Sequence, residues 1–233
     1  MALAFITGGS RGLGYATAKG LKDKGFELVI FSKQSDRLQS AAAELGAHYE
    51  VVDLEDLPRT SEVFKSAIEK YGVPDVLMLA HGVMSDRMAK TLKTNLAEWR
   101  RVMTINLDSV FVIVNLVGAA MAEARKGRII IYSACLGRMS GPGNAGGLAP
   151  YRISKAGVNA LVRNLSHEVG HGARGLWVDA ICPNHSRTDM GGPDAPRSAD
   201  EGAETAIWLA TRELTPGATQ TGLLWEDREV VPW

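Results

Sequence analysis

The sequence predicts an α/β protein, doubly wound, with a parallel sheet of about seven strands and helices on both faces. Three observations predict it. Short β-rich apolar runs alternate with helical stretches throughout the 233 residues. Those runs lack polar alternation, as strands do when helices cover both faces of a sheet. A glycine-rich turn follows the first run at once and opens a helix. Repetition of strand, helix and strand gives βαβ units with right-handed crossovers. At 45% hydrophobic residues, with no internal repeat, residues 1–233 read as a single domain with a sizeable core.

Taken in order, the first strand is "ALAFIT" (2–7), and the helix behind its glycine turn spans 11–24. "FELVIF" (26–31) and "HYEVVD" (48–53) are the second and third strands, separated by helix 35–45. Helix 59–71 leads to the fourth strand, "DVLMLA" (75–80), and a long apolar helix over 96–125 leads to the fifth, "GRIIIYS" (127–133). Helix 150–170, strand "LWVDAIC" (176–182), helix 199–212 and strand "TGLLW" (221–225) complete the series. Segments 137–150 and 183–197, rich in Gly and Pro, follow strands at the edge where open α/β sheets place ligands. They read as site loops, not as linkers.

The formal net charge is zero, which argues against nucleic acid or a membrane surface as a partner. Apolar runs such as 109–122 read as too short to span a bilayer, and "MALAFITGG" lacks the marks of a signal peptide. A cytoplasmic location is expected. Cys135 and Cys182, far apart in sequence and without metal-ligand spacing, read as reduced structural thiols.

"ITGGSRGLGYATAKGL" places Gly8, Gly12 and Gly14 in the pattern T-G-x-x-x-G-x-G at the first strand-to-helix turn. Glycines there let the backbone approach a pyrophosphate, whose charge the free N–H groups of a helix N-terminus stabilise. The arrangement is that of a Rossmann fold, with Gly8, Ser10, Arg11, Gly12, Leu13 and Gly14 around a dinucleotide. The second strand runs into "VIFSKQSDR", so Ser32 and Lys33 stand where a bare ribose would want an acid. With Arg11 nearby, this favours a 2′-phosphate, hence NADP(H) over NAD(H).

"PYRISKAGVNALVRNL" sets Tyr151 and Lys155 four apart on one helical face. A phenol is a poor base at neutral pH, and a neighbouring ammonium favours its ionised form. Spacing alone does not suffice, because Tyr15 and Lys19 share it in the first helix. Tyr151 differs by following the fifth strand and a glycine-rich loop, on the ligand side of the sheet.

Over nearly its whole length the chain resembles the single-domain short-chain dehydrogenases/reductases. The resemblance rests on "TGGSRGLG", Asp53, "INL" (105–107), "YRISK" (151–155) and "CPNHSRTDM" (182–190). It implies that Tyr151 is the general acid or base, that Lys155 lowers its pKa, and that Asn106 holds a water in a proton relay. It further implies that Asp53 and Leu54 meet the adenine. Residues 183–188, among them Pro183, Asn184, Ser186 and Thr188, would border the nicotinamide.

Departures from that pattern fall on the same site. The family's N-N-A-G reads "LAHG" (79–82) here, so Ala80, His81 and Gly82 line the expected cofactor pocket with Leu79 replacing an amide. Pro-Gly has become Pro183-Asn184, followed by His185. The family's carbonyl-binding serine falls on Ala134, with Ser133 one residue earlier, and a one-residue offset in a strand reverses the face. Either Ser133, re-aimed by a bulge, or a loop group such as Ser140 or Asn144 would then supply the donor. His81 and His185 read as pocket histidines with no third metal ligand in place; His48, His167 and His171 read as surface or helix-end residues.

The leading expectation is an NADP(H)-dependent oxidoreductase interconverting a carbonyl and a secondary alcohol. Met84, Met88, Met139 and Leu148 suggest a hydrophobic substrate. The alternative is a non-catalytic dinucleotide sensor or scaffold, although a sensor has no need of Tyr151, Lys155 and Asn106 together. A lyase or dehalogenase on this fold usually loses the nucleotide loop, which is intact here. The apolar faces of helices 96–125 and 150–170 suggest a homodimer or homotetramer.

Overall fold

The structure, a computed structural model, describes residues 1–86, 90–141 and 145–233. Strands β1 (Leu3–Thr7), β2 (Glu27–Ser32), β3 (His48–Val51), β4 (Val76–Leu79), β5 (Gly127–Tyr132), β6 (Leu176–Ile181), β7 (Leu224–Glu226) and β8 (Glu229–Val231) form one sheet, ordered β3-β2-β1-β4-β5-β6-β7-β8. The first seven run parallel, and β8 returns antiparallel to β7. Among the described residues the sheet therefore has eight strands and is not wholly parallel. β8 is three residues of a hairpin at the sheet edge, largely exposed, so it carries no apolar run. The short turn at Asp227 and Arg228 closes it, both residues having positive φ.

Helices α1 (Gly12–Asp23), α2 (Ser35–Leu45), α3 (Leu57–Tyr71), α4 (Leu96–Glu123), α5 (Ala149–Glu168) and α6 (Ala199–Thr211) connect the strands. Two apolar layers result. Phe5, Phe31, Leu77, Ile129 and Val178 point to one face, under α3, α4 and α5. Ile6, Ile30, Met78, Ile130 and Ile181 point to the other, under α1, α2 and α6. Alternate residues of the same strands feed opposite layers, which explains their continuous apolarity.

By length and composition, α4 is apolar enough to cross a membrane, contrary to the sequence expectation. Its apolar stripe of Val110, Ile113, Val117 and Met121 is instead buried on the sheet. The strand order reverses between β1 and β4, and the crevice outside their C-terminal ends is where such sheets bind ligands.

Candidate functional site

The turn after β1 and the turn after β4 meet at this reversal. Gly8 has φ +68°, and a Cβ there would stand 3.2 Å from the Ala80 carbonyl oxygen and the His81 backbone. A Cβ at Gly14 would collide with the Gly8 carbonyl oxygen, so only glycine lets α1 begin this close to β1. The N-terminus of α1 has no side-chain cap and no acid in its first turn, leaving its N–H groups for an anion. These features fit a dinucleotide pyrophosphate. Ser10 and Ser32 exchange a hydrogen bond of 2.9 Å, tying the glycine loop to the end of β2.

Lys33 pairs with Asp53 at 2.5 Å, and the Asp53 carboxylate also accepts from the Glu55 amide. Leu54 is buried beside them. Arg11 pairs with Asp189, which Arg37 approaches to 3.7 Å. Sequence reasoning named Arg11 and Lys33 but missed Arg37 and Asp189, because only folding brings segment 183–191 over the glycine loop. The Thr188 methyl there would lie 3.1 Å from a Cβ at Gly12. Thr188 Oγ1 also accepts from the Gly191 amide, and the Ser186 hydroxyl donates to the Pro183 carbonyl. Asn184 has φ +59°, a value that Gly favours and Asn tolerates, which accounts for asparagine after Pro183.

A cavity of about 410 Å³ extends from Leu13 and Ala80–Gly82 to Tyr151, Lys155 and the segment 182–186. Tyr151 and Lys155 lie one turn apart on α5, both buried. No described residue hydrogen-bonds the Tyr151 hydroxyl. Burial raises the Tyr151 phenol above its usual range, and the nearby Cys182 and Cys135 sulfurs push the same way. The ammonium of Lys155 donates to the Tyr132 carbonyl at 2.6 Å, and burial lowers its pKa to about 8. It sits 6.0 Å from the centre of the Tyr151 ring. In this arrangement burial therefore sets the direction for the phenol, while the Lys155 ammonium is aimed at a backbone carbonyl.

Asn106 is fully buried in a π-helical segment, Thr104–Asp108, of α4. Such bulges recur at functional sites because they re-aim a side chain. Here the Asn106 amide accepts from the Val83 amide and donates to the Val83 carbonyl and to Ser154 Oγ. A Cβ at Gly82 would lie 3.4 Å from Asn106 Oδ1 and 3.5 Å from Lys155 Nζ, so the three converge.

His81 shows how the "LAHG" departure is accommodated. Its Nδ1 lies 2.6 Å from Thr7 Oγ1 and its Nε2 2.9 Å from Ser109 Oγ. Ser109 gives its own proton to the Ile105 carbonyl, so Nε2–H donates to Ser109 and Thr7 donates to Nδ1. The ring is neutral and joins β1 to α4. Burial, with Lys155 adding, lowers its pKa from the ordinary 6.5 to about 3. An unfolded chain takes up that proton near pH 6.5, so stability is complete above that pH and is lost as pH falls towards 3. Between pH 7 and 5 the loss should be about 2 kcal/mol. Urea midpoints at the two pH values check this. In His81→Gln the pH dependence should flatten by that amount; an unchanged dependence would detach acid lability from this ring.

Ser133 is buried, and its hydroxyl donates to Asn159 Oδ1 at 2.5 Å, with the Lys155 carbonyl at 3.3 Å. Its single proton is thus committed to α5. Ala134 borders the cavity. Ser140 donates to the Trp233 carbonyl, and Asn144 lies outside the described residues, as does Met88. Met84 lines the cavity, Met139 is 79% exposed, and Leu148 does not line it; Leu136 and Met190 do. His185 hydrogen-bonds the Gly191 carbonyl, His167 and His171 bond each other, and His48 lies beside Glu27. Among the described residues no group of three His, Cys, Asp or Glu is placed to hold a metal ion. Cys135 and Cys182, read from the sequence as remote structural thiols, both line the cavity. Their contact follows from the pairing of β5 with β6, which residue spacing does not reveal.

Comparison with known proteins agrees with this geometry. Residues 2–199 match the short chain dehydrogenase family. The 3-oxoacyl-(acyl-carrier-protein) reductase of Synechocystis sp. is 30% identical over 194 residues, spanning 81% of this chain and 75% of that protein. The reductase FabG of Escherichia coli (strain K12) is 31% identical over 190 residues, with the same shares. A solved chain described as ribose-5-phosphate isomerase from Brucella melitensis 16M superposes with a TM-score of 0.83 at 26% identity, covering 96% of this chain and 89% of that one. A short chain dehydrogenase/reductase family protein superposes at 0.82 and 23% identity, covering 96% and 94%, a likeness of fold alone. The chain belongs to the short-chain dehydrogenase/reductase family and is an oxidoreductase acting between a carbonyl and an alcohol.

Proposed function

We propose that the protein is an NADP(H)-dependent reductase of an apolar carbonyl compound, with Tyr151 as proton donor. The observation that carries this reading is a buried, uncommitted phenol one helical turn from a buried ammonium, at the end of a cavity that begins at the glycine loop. Gly8, Gly12 and Gly14, with the N-terminus of α1, would hold the pyrophosphate; Ser32, Lys33, Arg11 and Arg37 would hold a 2′-phosphate. Asp53 and Leu54 would border the adenine, and Thr188 the phosphates or nicotinamide amide. When bound, the nicotinamide supplies the hydride.

A phenol held above its usual range is protonated at neutral pH, and an alkoxide is a stronger base than a phenolate. Proton transfer from Tyr151 to the nascent alkoxide is therefore downhill, as a proton donor in the reductive direction requires. Lys155, whose ammonium lies 6.0 Å from the ring, would stabilise the phenolate left behind by turning towards it from the Tyr132 carbonyl. Asn106 keeps the turn after β4 in place through Val83 and adjoins Lys155, consistent with a role in returning the proton. The apolar walls, among them Met84, Leu136 and Met190, suit a hydrophobic substrate, and the two reductase relatives are named for an acyl-chain ketone. A cytoplasmic homodimer or homotetramer fits the half-exposed Phe111 and the exposed Leu96 on α4.

The test is oxidation of NADPH and NADH against a panel of ketones and aldehydes of rising chain length. NADPH should be consumed faster, with KM for the ketone falling as the chain lengthens. Lys33→Ala should raise KM for NADPH by about tenfold, the worth of one charge-assisted hydrogen bond, and leave that for NADH nearly unchanged. Nucleotide binding with no turnover across the panel would favour the sensor reading instead.

A further inference from the structure

We propose that Cys135 and Cys182 are a modification site within the cavity: a dithiol that a hydroperoxide oxidises to a disulfide, switching the site off until a thiol reductant restores it. The two residues are brought together by the sheet. Parallel β5 and β6 pair Tyr132 with Ile181, and the Ser133 amide extends the ladder by donating to the Ile181 carbonyl. After Ala134 the chain enters a single 3-10 turn, Cys135–Gly137, whose first amide donates to Cys182 Sγ at 3.0 Å. That places the Cys182 sulfur no more than about 4.5 Å from the Cys135 Cα, one N–Cα bond further on. Bringing the two sulfurs to disulfide distance, about 2.05 Å, then takes side-chain rotation and a small shift of the 3-10 turn, with β5 and β6 left paired.

The two sulfurs are unequal. Cys135 is partly exposed to the cavity, and the neighbouring Cys182 thiol holds it below the usual thiol range, at about 7. Cys182 is buried and raised, so it stays protonated. Cys135 is thus the attacking thiolate and Cys182 the resolving thiol. In the first step the Cys135 sulfur attacks one peroxide oxygen; an S–O bond forms, the O–O bond breaks, and hydroxide leaves and is protonated to water. In the second step the Cys182 sulfur attacks the sulfenic sulfur; an S–S bond forms, the S–O bond breaks, and water leaves with the Cys182 proton. Two thiols are oxidised and one hydrogen peroxide is reduced to two waters.

Closure of the bond reaches Tyr151 and Lys155 through packing. A Cβ at Gly137 would stand 2.7 Å from the Lys155 Cβ, and the Gly137 carbonyl accepts from Asn159 Nδ2, so the turn lies on α5 without slack. Drawing Cys135 towards Cys182 shifts that turn against the helix that positions Lys155. A displacement of such a group by about 1 Å can lower turnover on the order of 10²-fold.

The experiment exposes the full chain to hydrogen peroxide, alkylates the remaining thiols and maps peptides by mass. The expected result is a peptide linking Cys135 to Cys182, an intact mass lower by two hydrogens, and carbonyl reduction lowered on the order of 10²-fold and restored by dithiothreitol. In Cys182→Ser, dimedone should trap a sulfenic acid at Cys135, and no linked peptide should form. The proposal is overturned by a wild-type protein whose two thiols stay alkylatable after peroxide, by disulfides between chains in place of the internal one, or by a linked protein that turns over at the unoxidised rate. Peptide mapping does not depend on turnover, so absence of carbonyl reduction before oxidation would count against the proposed reductase alone; NADPH affinity, weakened by linking and restored by reductant, would then replace turnover as the functional readout.

Discussion

Tyr151→Phe should retain NADPH binding and lower carbonyl reduction on the order of 10²- to 10⁴-fold, the usual contribution of a positioned general acid. The substitution removes one oxygen and keeps the ring that packs at the start of α5, so folding should be unaffected. No hydrogen bond to a described residue is lost with it. The loss should fall on kcat, since a proton donated only at the transition state does not hold the substrate in the ground state. The pH profile of the wild type carries a second mark. Because burial places the phenol above its usual range and Lys155 at about 8, reduction should weaken as pH rises through about 8, where the ammonium is lost first. Lys155→Arg should move that bend upward while lowering the plateau. A Tyr151→Phe protein reducing ketones at the wild-type rate would show that the proton comes from elsewhere.

The features legible in the sequence are those set by local periodicity. Seven strands and six helices follow from apolar runs and breaks, and the glycine pattern, read with its place at the first strand-to-helix turn, marks the tight turn after β1. What escaped depends on the strand order. Cys135 and Cys182 are 47 residues apart and in contact because β6 lies next to β5. Asp189 is remote from Arg11 until segment 183–191 folds across the glycine loop. The tyrosine–lysine spacing puts Tyr151 and Lys155 one turn apart, yet the direction of the Tyr151 shift depends on burial and on where Lys155 points, which spacing does not contain. His81 stands where the family has a small residue, and its two hydrogen bonds, to Thr7 and Ser109, involve partners 74 and 28 residues away.

Ala134→Ser should accelerate carbonyl reduction by up to about 10²-fold, equivalent to regaining roughly 3 kcal/mol from one hydrogen-bond donor at the developing oxyanion. Ala134 has extended backbone at the end of β5 and borders the cavity, so a serine there enters it without a change of φ or ψ. Ser133 lines the cavity as well, but its hydroxyl is turned to α5. Its hydroxyl donates to Asn159, which in turn holds the Gly137 carbonyl, so it fastens the turn after β5 onto α5. Ser133→Ala should therefore lower stability by about 1 kcal/mol, the net worth of a buried hydrogen bond, and change kcat only modestly. Single-turnover rates with saturating NADPH, beside urea midpoints for each variant, separate the two roles. A large fall in kcat for Ser133→Ala with unaltered stability, and no gain for Ala134→Ser, would return the carbonyl-binding role to Ser133. The opposite pattern leaves Tyr151 as sole donor in the natural protein, and makes the alanine the reason its chemistry runs below what this fold can support.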